Sequence, residues 1–549
     1  MKKKDELSKI VYLIKKIKNR IPRLVLITVV NALKAYIGVQ FAMLTRKVID
    51  HASAGNTDMF TKACIQLAGC VLLLVLFIVV ITHLRDKMAA FLDRDWKRGL
   101  SHTLLNGEYK RVSAYHTGEM INRMNNDVRT VNGALVSIIP NLAAMMTSMI
   151  AAASMLAQMD LRFTLIFGGA AVLLIVFTGF IRRHLKGMHK RVSESEGKVN
   201  GFIQEMLEKL LMVQALDVSE EMERREEELL EKRWILQRKR KNVSIVAGAG
   251  VNFVSGAAEA LAIVWCASRL IRGEMSFGTI AAITQLVGQL KAPLVNFSGF
   301  IPQYIQMIAS AERLREIDEI TIDTEKPING AMLYNEMEAI RTDALCFSYE
   351  DGRNSIEFGD MSIPKGAFAA LVGPSGAGKS TFLKLLLGIY PPEAGDVYVK
   401  TKDGRVPVGR ATRKLFAYVP QGNLLISGTL RENLILTNPD ANDDMLKRAL
   451  YVSDLEEMIA SLPQGVDTPI GENAMGISEG QAQRISIARA ILSGGKVLLL
   501  DEGTSALDAE TEKTVLRRIS EMEDITCIAV THRPAAMELA DIKISIKGS

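Results

Sequence analysis

The sequence predicts a multidomain membrane protein: an all-α domain of six transmembrane helices at 1–320, a linker at 321–337 and an α/β domain at 338–549. Two observations support this prediction. Long, nearly uncharged apolar runs occur only up to residue 308, and a glycine-rich loop lies between an apolar strand and a helical segment in the last 210 residues. The two parts of the chain are therefore suited to different solvents.

The first part contains six segments that can cross a bilayer. A helix needs about 20 mainly apolar residues to span roughly 30 Å of hydrocarbon. Each of the six segments carries at most one charged residue, and soluble core helices do not explain uncharged runs of this length and number. The predicted spans are 24–45, 64–82, 134–159, 163–181, 243–268 and 279–308.

Two long loops, 83–133 and 182–242, are rich in Lys and Arg, as is the N-terminus. Basic flanks favour the cytoplasmic side of a membrane, so we expect the N-terminus and the α/β domain in the cytoplasm. The loop at 182–242 predicts two helices that extend about 35–40 Å beyond the membrane, with a turn near 215–220. Residues 8–21 predict an interfacial helix, because isoleucines recur at helical spacing among lysines.

Composition excludes several classes of protein. Hydrophobic residues make up 48% of the chain, which excludes a disordered protein. The net charge is only +6, from 67 basic and 61 acidic residues, so no nucleic-acid partner is expected. The five cysteines are scattered and have neither metal-ligand nor disulfide spacing.

The glycine-rich loop follows the apolar strand 368–372 and precedes a helical segment, which is the context of a phosphate-binding loop. Backbone amides and a helix N-terminus would hold phosphate oxygens there. Lys379 would reach the terminal phosphates, and the Ser380 hydroxyl would ligate magnesium. The predicted ATP-binding residues are Gly373, Pro374, Ser375, Gly376, Ala377, Gly378, Lys379, Ser380 and Thr381.

A second apolar strand, 497–500, ends in Asp501 and Glu502. Asp501 is suited to holding Mg²⁺, and Glu502 to polarising the water that attacks the γ-phosphate. An apolar strand that ends in two carboxylates is weak evidence alone. Together with the phosphate-binding loop about 120 residues earlier, it predicts an ATP-hydrolysing site of the P-loop NTPase class.

The segment 477–485 reads Ile-Ser-Glu-Gly-Gln-Ala-Gln-Arg-Ile and closely resembles the signature motif of ATP-binding cassette (ABC) proteins. With these motifs, the whole chain resembles an exporter-type ABC half-transporter, in which a six-helix membrane domain is fused to one nucleotide-binding domain. The resemblance implies that the signature, through Ser478, Gly480 and Gln481, contacts ATP held by the opposite subunit. It also implies coupling contacts near 111–118 and 215–220, the second on the partner's ATP domain.

The resemblance assigns further roles in the ATP site. Tyr349 corresponds to the aromatic residue that stacks on adenine, and Gln421 to the glutamine that touches magnesium and senses the membrane domain. Asp508 belongs to the loop that couples the two sites, and Glu472 contacts the cytosolic loops. His532 corresponds to the switch histidine at the γ-phosphate; an isolated histidine would otherwise be read as an ordinary surface or core residue. The implied catalytic residues are Lys379, Gln421, Glu502 and His532.

Two positions depart from the family pattern: Glu479 replaces a glycine and Gly503 replaces an alanine. Glu479 would repel the γ-phosphate if it pointed inward, but it is harmless if it points to solvent.

Shared ATP sites require a second half-transporter. A homodimer is favoured, although the combination of Glu479 with an intact Glu502 also fits one chain of a heterodimer.

Polar residues within the spans are candidates for a substrate cavity, because charges in a membrane usually face a bundle interior. An internal Lys–Glu pair that stabilises helix packing is the alternative. The cavity candidates are Lys34, Glu259, Gln285, Gln289 and Lys291.

The resulting expectation is ATP-driven export, or leaflet flipping, of a lipid, peptide or amphipathic small molecule, with ATP and Mg²⁺ as cofactors. The location would be a bacterial inner membrane. Two alternatives stay open: an importer on the exporter fold, of the metal-chelate type, and an ATP-gated channel or regulatory ATPase.

Overall fold

The computed structural model describes residues 2–322, 324–349, 355–422, 425–471 and 477–546, without the side chains of 2–5, 170–184, 186, 251, 255 and 291–298. The chain forms two compact units. The first contains 1–101 and 117–319, and the second contains 102–116 and 320–549. The segment 102–116, part of the first long loop in sequence, therefore belongs to the second unit.

The first half of the chain is helical and contains several helices much longer than a soluble domain requires. A π-helical turn, Arg123–Asp127, joins the short helix Thr117–Asn122 to the long helix Val128–Met159. The helices are α1 (Lys2–Ile17), α2 (Ile21–Ser53), α3 (Thr57–Asn106), α4 (Tyr109–Ser113), α5 (Thr117–Asn122), α6 (Val128–Met159), α7 (Leu161–Glu208), α8 (Leu210–Ala215), α9 (Ser219–Ile271) and α10 (Phe277–Asp318).

Within the described residues, four helical stretches are long and apolar enough to cross a membrane. They are Glu6–Ser53, Thr57–Asn106, Thr117–Met159 and Ser219–Ile271. These stretches contain the predicted first, second, third and fifth spans. The predicted fourth and sixth spans lie in α7 and α10, where some side chains lie outside the description. Exposed apolar side chains on α3, such as Leu72 and Val79, are suited to contact with lipid.

Two long helices continue from apolar into charged sequence. Helix α7 has 48 residues and α9 has 53, so each is more than twice as long as the roughly 30 Å hydrocarbon layer. The turn between α8 and α9 lies at 216–218, within the predicted interval, and Asp217 adopts a φ of +52° there. The charged halves meet through Arg240 and His189, whose side-chain nitrogens are 2.9 Å apart. These halves form the predicted helical hairpin.

Helix α1 is amphipathic and is tethered to the end of α10. The Tyr12 hydroxyl donates to Asp318 at 2.6 Å, Lys16 pairs with the same carboxylate, and Lys9 pairs with Glu312 at 2.9 Å. Burial and the neighbouring carboxylate raise the pKa of Tyr12 far above its ordinary value, so Tyr12 remains a hydrogen-bond donor. On the opposite face, an exposed apolar stripe is suited to the membrane interface. The stripe consists of Leu7, Val11 and Ile14.

The Asp318→Ala variant should release α1 from α10, because both Tyr12 and Lys16 lose their shared acceptor. Hydrogen bonds to a charged group contribute about 1.5–3 kcal/mol, which corresponds to at least about tenfold faster opening. Hydrogen–deuterium exchange of residues 8–17 in the full chain measures this effect. Glu319→Ala is the matched control, because that exposed carboxylate pairs with Arg315 of α10 and with no α1 side chain that the structure describes. Equal exchange in both variants would contradict the tether.

The second unit contains two main sheets and surrounding helices. Besides α4, its helices are α11 (Gly330–Glu336), α12 (Lys379–Leu386), α13 (Leu430–Leu434), α14 (Asp443–Val452), α15 (Glu456–Ser461), α16 (Glu479–Leu492), α17 (Ala509–Ser520) and α18 (Pro534–Leu539). Its strands are β1 (Met337–Ser348), β2 (Ser355–Pro364), β3 (Phe368–Val372), β4 (Ala394–Thr401), β5 (Gly404–Pro407), β6 (Phe416–Val419), β7 (Gly428–Thr429), β8 (Pro469–Ile470), β9 (Val497–Asp501), β10 (Thr526–Val530) and β11 (Ile542–Ser545).

The five-stranded sheet has the order β11-β3-β10-β9-β6, and all of its pairings are parallel. Strands β9 and β10 are buried along their whole length, as expected for a parallel sheet covered on both faces. The four-stranded sheet has the order β2-β1-β4-β5 and is antiparallel. Within the predicted linker, α11 packs Leu333 and Tyr334 into the core of this unit.

The topology of the parallel sheet explains where a site can form. Strands β3, β6, β9 and β10 point the same way, so the residues after each strand gather at one edge. That edge receives the glycine-rich loop after β3, Gln421 after β6, Asp501 and Glu502 at the end of β9, and His532 after β10.

Candidate functional site

The glycine-rich loop connects β3 to α12 and requires glycine at two positions. Gly378 has a φ of +92°, and a Cβ there would lie 2.8 Å from Ile356 Cδ1. Gly373 has a φ of +159°, and a Cβ there would lie 2.4 Å from the Ile546 carbonyl oxygen. A side chain at either position would displace the loop. Because glycine has none, the loop backbone can approach a ligand closely. The N-terminus of α12 begins directly after the loop.

Lys379 is buried and turned back into this loop. Its ammonium donates to the carbonyl oxygens of Gly373 and Pro374, each at 2.9 Å. These bonds tie the two ends of the loop together. Because the loop amides and the α12 N-terminus carry partial positive charge, this arrangement favours a phosphate group.

Ser380 and Asp501 meet at the edge of the sheet, as the sequence predicts. The Ser380 hydroxyl donates to Asp501 Oδ1 at 2.6 Å, and the Tyr418 hydroxyl donates to Oδ2 at 3.1 Å. Burial, with the charge of Asp501, raises the pKa of Tyr418, so its hydroxyl remains a donor. Asp501 is 2% exposed. A buried carboxylate beside a hydroxyl offers the oxygen ligands that Mg²⁺ prefers.

Gln421 and Glu502 also come together. The Gln421 side-chain amide donates to Glu502 Oε2 at 2.8 Å. Glu502 directly follows β9 and adopts a φ of +52°, which is unusual for a residue with a side chain. Such conformations concentrate at functional sites. The geometry therefore brings the predicted water-activating carboxylate within reach of the glutamine that follows β6.

His532 is exposed two residues after β10, and Asp508 begins the neighbouring helix. The Asp508 carboxylate accepts hydrogen bonds from the Thr511 and Glu510 amides at 3.0 and 3.2 Å. These hydrogen bonds, above all the one from the Thr511 amide, lower the pKa of Asp508. Asp508 is thus the N-cap of α17, which fixes the loop before it.

The structure identifies two positioning residues that the sequence analysis did not. Arg533 donates to the Leu507 carbonyl at 2.7 Å and pairs with Glu512 at 3.2 Å. Gln483 donates to the Ser505 hydroxyl at 3.0 Å and accepts from the Ala506 amide at 2.9 Å. Both hold the loop between β9 and α17. No local pattern marks them, because their partners are 21 to 28 residues away.

The signature residues lie at the start of α16 and bond to each other. The Ser478 hydroxyl accepts from the Gln481 amide at 3.3 Å, and the Gln481 side chain accepts from the Ser478 amide at 2.9 Å. This is a capping box. A Cβ at Gly480 would lie 2.9 Å from the Ala506 carbonyl oxygen, so the residue type suits the close packing.

The two departures from the family pattern have local explanations. Glu479 is exposed in the first turn of α16, where a carboxylate favours the helix dipole. Gly503 is buried, and a Cβ there would lie 2.9 Å from Val419 Cγ1, so neighbouring side chains occupy the space that alanine would take. Glu472 lies outside the described residues.

The polar candidates of the membrane helices have different roles. Gln289 donates to the Gly38 carbonyl at 2.8 Å and thereby joins α10 to α2. The Gln285 side-chain oxygen is buried and has no hydrogen-bond partner among the side chains that the structure describes. Lys34 and Glu259 are partly exposed, and neither forms an ion pair with the residues that the structure describes. The side chain of Lys291 lies outside the description.

The phosphate-binding loop, the Asp501–Ser380 pair and the Glu502–Gln421 pair on one buried parallel sheet define a P-loop NTPase. The same chain carries helices of membrane-spanning length. Two family models match this chain: the ABC transporter transmembrane region at residues 24–294 and the ABC transporter at 358–505. The chain belongs to the ABC transporters and is a half-transporter, with one membrane domain fused to one nucleotide-binding domain.

Similar proteins cover most of the chain. It is 24% identical over 541 residues to the uncharacterized ABC transporter ATP-binding protein YfiC of Bacillus subtilis (strain 168), spanning 95% of this chain and 87% of that protein. It is 30% identical over 380 residues to the cyclolysin secretion/processing ATP-binding protein CyaB of Bordetella pertussis (strain Tohama I), spanning 69% of this chain and 52% of that protein.

The fold is similar to a solved structure of a bacterial Atm1-family ABC exporter with ATP bound. The TM-score is 0.77 at 20% identity, over 96% of this chain and 93% of that one. The predictions of family, fold class and ATP hydrolysis coupled to transport are confirmed. The protein is a multi-pass integral membrane protein that binds nucleotide, and its half-transporter architecture implies dimerisation.

Proposed function

We propose that two copies of this chain form an ATP-driven exporter of a lipid, peptide or amphipathic small molecule in a bacterial inner membrane. The N-terminus and ATP domains face the cytoplasm. The observation that carries the ATP-driven part is the gathering of Lys379, Ser380, Asp501, Glu502 and Gln421 at one edge of the parallel sheet. CyaB is described as a secretion protein and the Atm1-family structure as an exporter, which supports the outward direction.

Ser380, Asp501 and Gln421 would hold Mg²⁺ together with ATP. Their donor set fits, because hydroxyl, carboxylate and amide oxygens are hard ligands, and two of them already lie 2.6 Å apart. No group of three His, Cys, Asp or Glu side chains suited to a metal occurs among the described residues, which is compatible with a magnesium site completed by phosphate and water. Bound Mg²⁺ supplies charge neutralisation on the phosphates.

The chain's own residues then have distinct tasks. Lys379 leaves the carbonyl oxygens of Gly373 and Pro374 to pair with the terminal phosphates. Glu502 accepts a proton from the attacking water, once the Gln421 amide releases its carboxylate. His532 contacts the γ-phosphate, and Tyr349 stacks on adenine. The Gln421–Glu502 bond holds the base beside the glutamine that follows β6.

The second copy completes each site. Ser478, Gly480 and Gln481 of one chain contact the ATP held by the glycine-rich loop of the other, and Asp508 couples the two sites. The capping box on Ser478 supports this role, because it orders the α16 N-terminus, which is attractive to a phosphate. ATP binding closes the pair and hydrolysis reopens it. This chain carries the glycine-rich loop, Glu502 and the signature residues together, so two copies supply every part of both sites, which supports a homodimer.

The cavity for the transported molecule is proposed around Gln285, with Lys34, Glu259 and Lys291 as further polar contacts. The Gln285 oxygen is buried and lacks a partner within the described part of the chain, which supports this choice, since a ligand donor would satisfy it. Gln289 borders the cavity but mainly joins two helices.

The purified chain in lipid nanodiscs should have twice the mass of one protomer and hydrolyse ATP without another subunit. In inside-out vesicles, ATP should drive a fluorescent amphipathic probe into the lumen, while a Lys379→Ala protein should not. ATP-dependent uptake toward the ATP-domain side would identify an importer instead. Ion conductance without hydrolysis would identify a channel, and ATPase activity only after adding a second, different chain would exclude the homodimer.

A further inference from the structure

Four aromatic rings of the second unit form a connected group beside the phosphate-binding loop. We call Tyr109, Phe347, Tyr349 and Tyr390 the aromatic cluster. Tyr390 is its centre: its ring centroid lies 5.7 Å from that of Tyr109, 5.3 Å from Phe347 and 5.8 Å from Tyr349. Tyr390 is 9% exposed and belongs to the hydrophobic core of this unit. The spacing is that of attractive aromatic pairs.

Tyr349 is held at one end of the cluster. Its ring forms near-perpendicular contacts with Phe347, at 85°, and with Tyr390, at 81°. Its hydroxyl lies 2.8 Å from the Thr381 hydroxyl, the last residue of the phosphate-binding motif. Tyr349 nevertheless remains 44% exposed. Three contacts therefore orient the ring while part of its surface stays free for a ligand.

Tyr109 holds the other end of the cluster and lies on α4, in the segment 102–116 that belongs to the second unit. This segment is anchored at its base. The Glu108 amide donates to the Thr321 carbonyl at 3.1 Å, and Arg410 donates to the Asn106 side chain at 2.7 Å. The contact between Tyr109 and Tyr390 is near-perpendicular, at 72°. A fixed segment thus presents Tyr109 to the centre of the cluster.

We infer that Tyr390 is a positioning residue of the nucleotide site, which holds Tyr349 in the orientation that stacks on adenine and links that ring to Tyr109 of α4. The inference rests on the proposed adenine contact of Tyr349. It assigns to Tyr390 an effect on the base alone, since the phosphates are bound by the glycine-rich loop. The affinity of the site for the adenine base then depends on the contact between Tyr109 of α4 and Tyr390.

The test compares ATP with inorganic triphosphate, which has the phosphates but no base. In the full-length chain in nanodiscs, Tyr390→Ala should raise the KM for ATP between about twofold and tenfold, the effect of losing an aromatic pair. Inhibition of the ATPase by triphosphate should be unchanged. Tyr390→Phe should behave as wild type, because it keeps the ring. Tyr451→Ala, an exposed tyrosine on α14, is the matched control.

The Tyr109 arm of the cluster is tested with a double variant. Tyr109→Ala should raise the KM for ATP by a smaller factor, and adding it to Tyr390→Ala should raise the KM no further, because the two rings act through one contact. Fully multiplicative effects would overturn the link to α4.

The other outcomes separate this inference from the proposed function. Equal weakening of ATP and triphosphate by Tyr390→Ala would mean that the loop itself was damaged, and would overturn the positioning role. An unchanged KM in Tyr390→Ala with a raised KM in Tyr349→Ala would overturn that role while leaving the adenine contact intact. An unchanged KM in Tyr349→Ala would overturn both.

Discussion

Glu502→Gln should lower the rate of ATP hydrolysis by at least about two orders of magnitude, because a positioned general base typically contributes 10²–10⁴-fold. The substitution keeps the size of the side chain and leaves a carbonyl oxygen for the Gln421 amide, now 2.8 Å from the carboxylate. It removes only the ability to take a proton. ATP binding should therefore persist, and the variant should accumulate as an ATP-bound dimer.

Phosphate release and equilibrium ATP binding, measured on the same preparation, check this result. The matched control is Glu538→Gln, an exposed glutamate on α18. Its turnover should equal that of the wild type. If the Glu502→Gln variant also hydrolysed ATP at the wild-type rate, Glu502 would not be the general base. The assignment of the hydrolytic site to this edge of the parallel sheet would then be wrong.

Mixed dimers should show that each ATP site uses two chains. We expect Lys379→Ala and Ser478→Asp to inactivate their respective homodimers. The first loses the phosphate-binding ammonium. The second keeps a good N-cap for α16 but places a carboxylate where the γ-phosphate would sit. When one chain carries Lys379→Ala and its partner carries Ser478→Asp, one site receives both defects and the other receives none.

The expected ATPase rate of this mixed dimer is about half that of the wild type, if the two sites act independently. The control places both substitutions in one chain and pairs it with a wild-type chain, so that each shared site carries one defect and activity is lost. Two affinity tags, one on each chain, isolate the mixed dimers. The opposite pattern, with activity only when both substitutions share a chain, would mean that each site is built within a single chain.

Much of the ATP site could be predicted from local sequence. Glycines at 373 and 378 are needed for backbone geometry that side chains prevent, and this need leaves a fixed spacing in the sequence. Asp501 ends a strand that is buried along its length, and Glu502 follows it. The burial of this strand is visible in the sequence as a continuous apolar run. Because parallel strands end at one edge, motifs far apart in sequence could be expected to meet there.

The aromatic cluster and the supports of the site could not be predicted in this way. Tyr109 and Tyr390 come from segments about 280 residues apart, and nothing near either residue indicates the other. The same holds for Tyr418 and Asp501, which are 83 positions apart. Their contacts depend on strand register and on the packing of 102–116 within the second unit.

In the membrane helices, hydropathy alone determines which segments prefer lipid, because transfer free energy accumulates residue by residue along the chain. It does not determine the rotation of each helix. Gln285 and Gln289 are four residues apart on α10, yet Gln289 bonds to α2, whereas the Gln285 oxygen has no partner among the residues whose side chains are described. The sequence by itself therefore determined the solvent of each segment and the chemistry of the ATP motifs, which are local properties. Only the tertiary structure decided which side chains meet, because contact depends on how whole helices and strands pack.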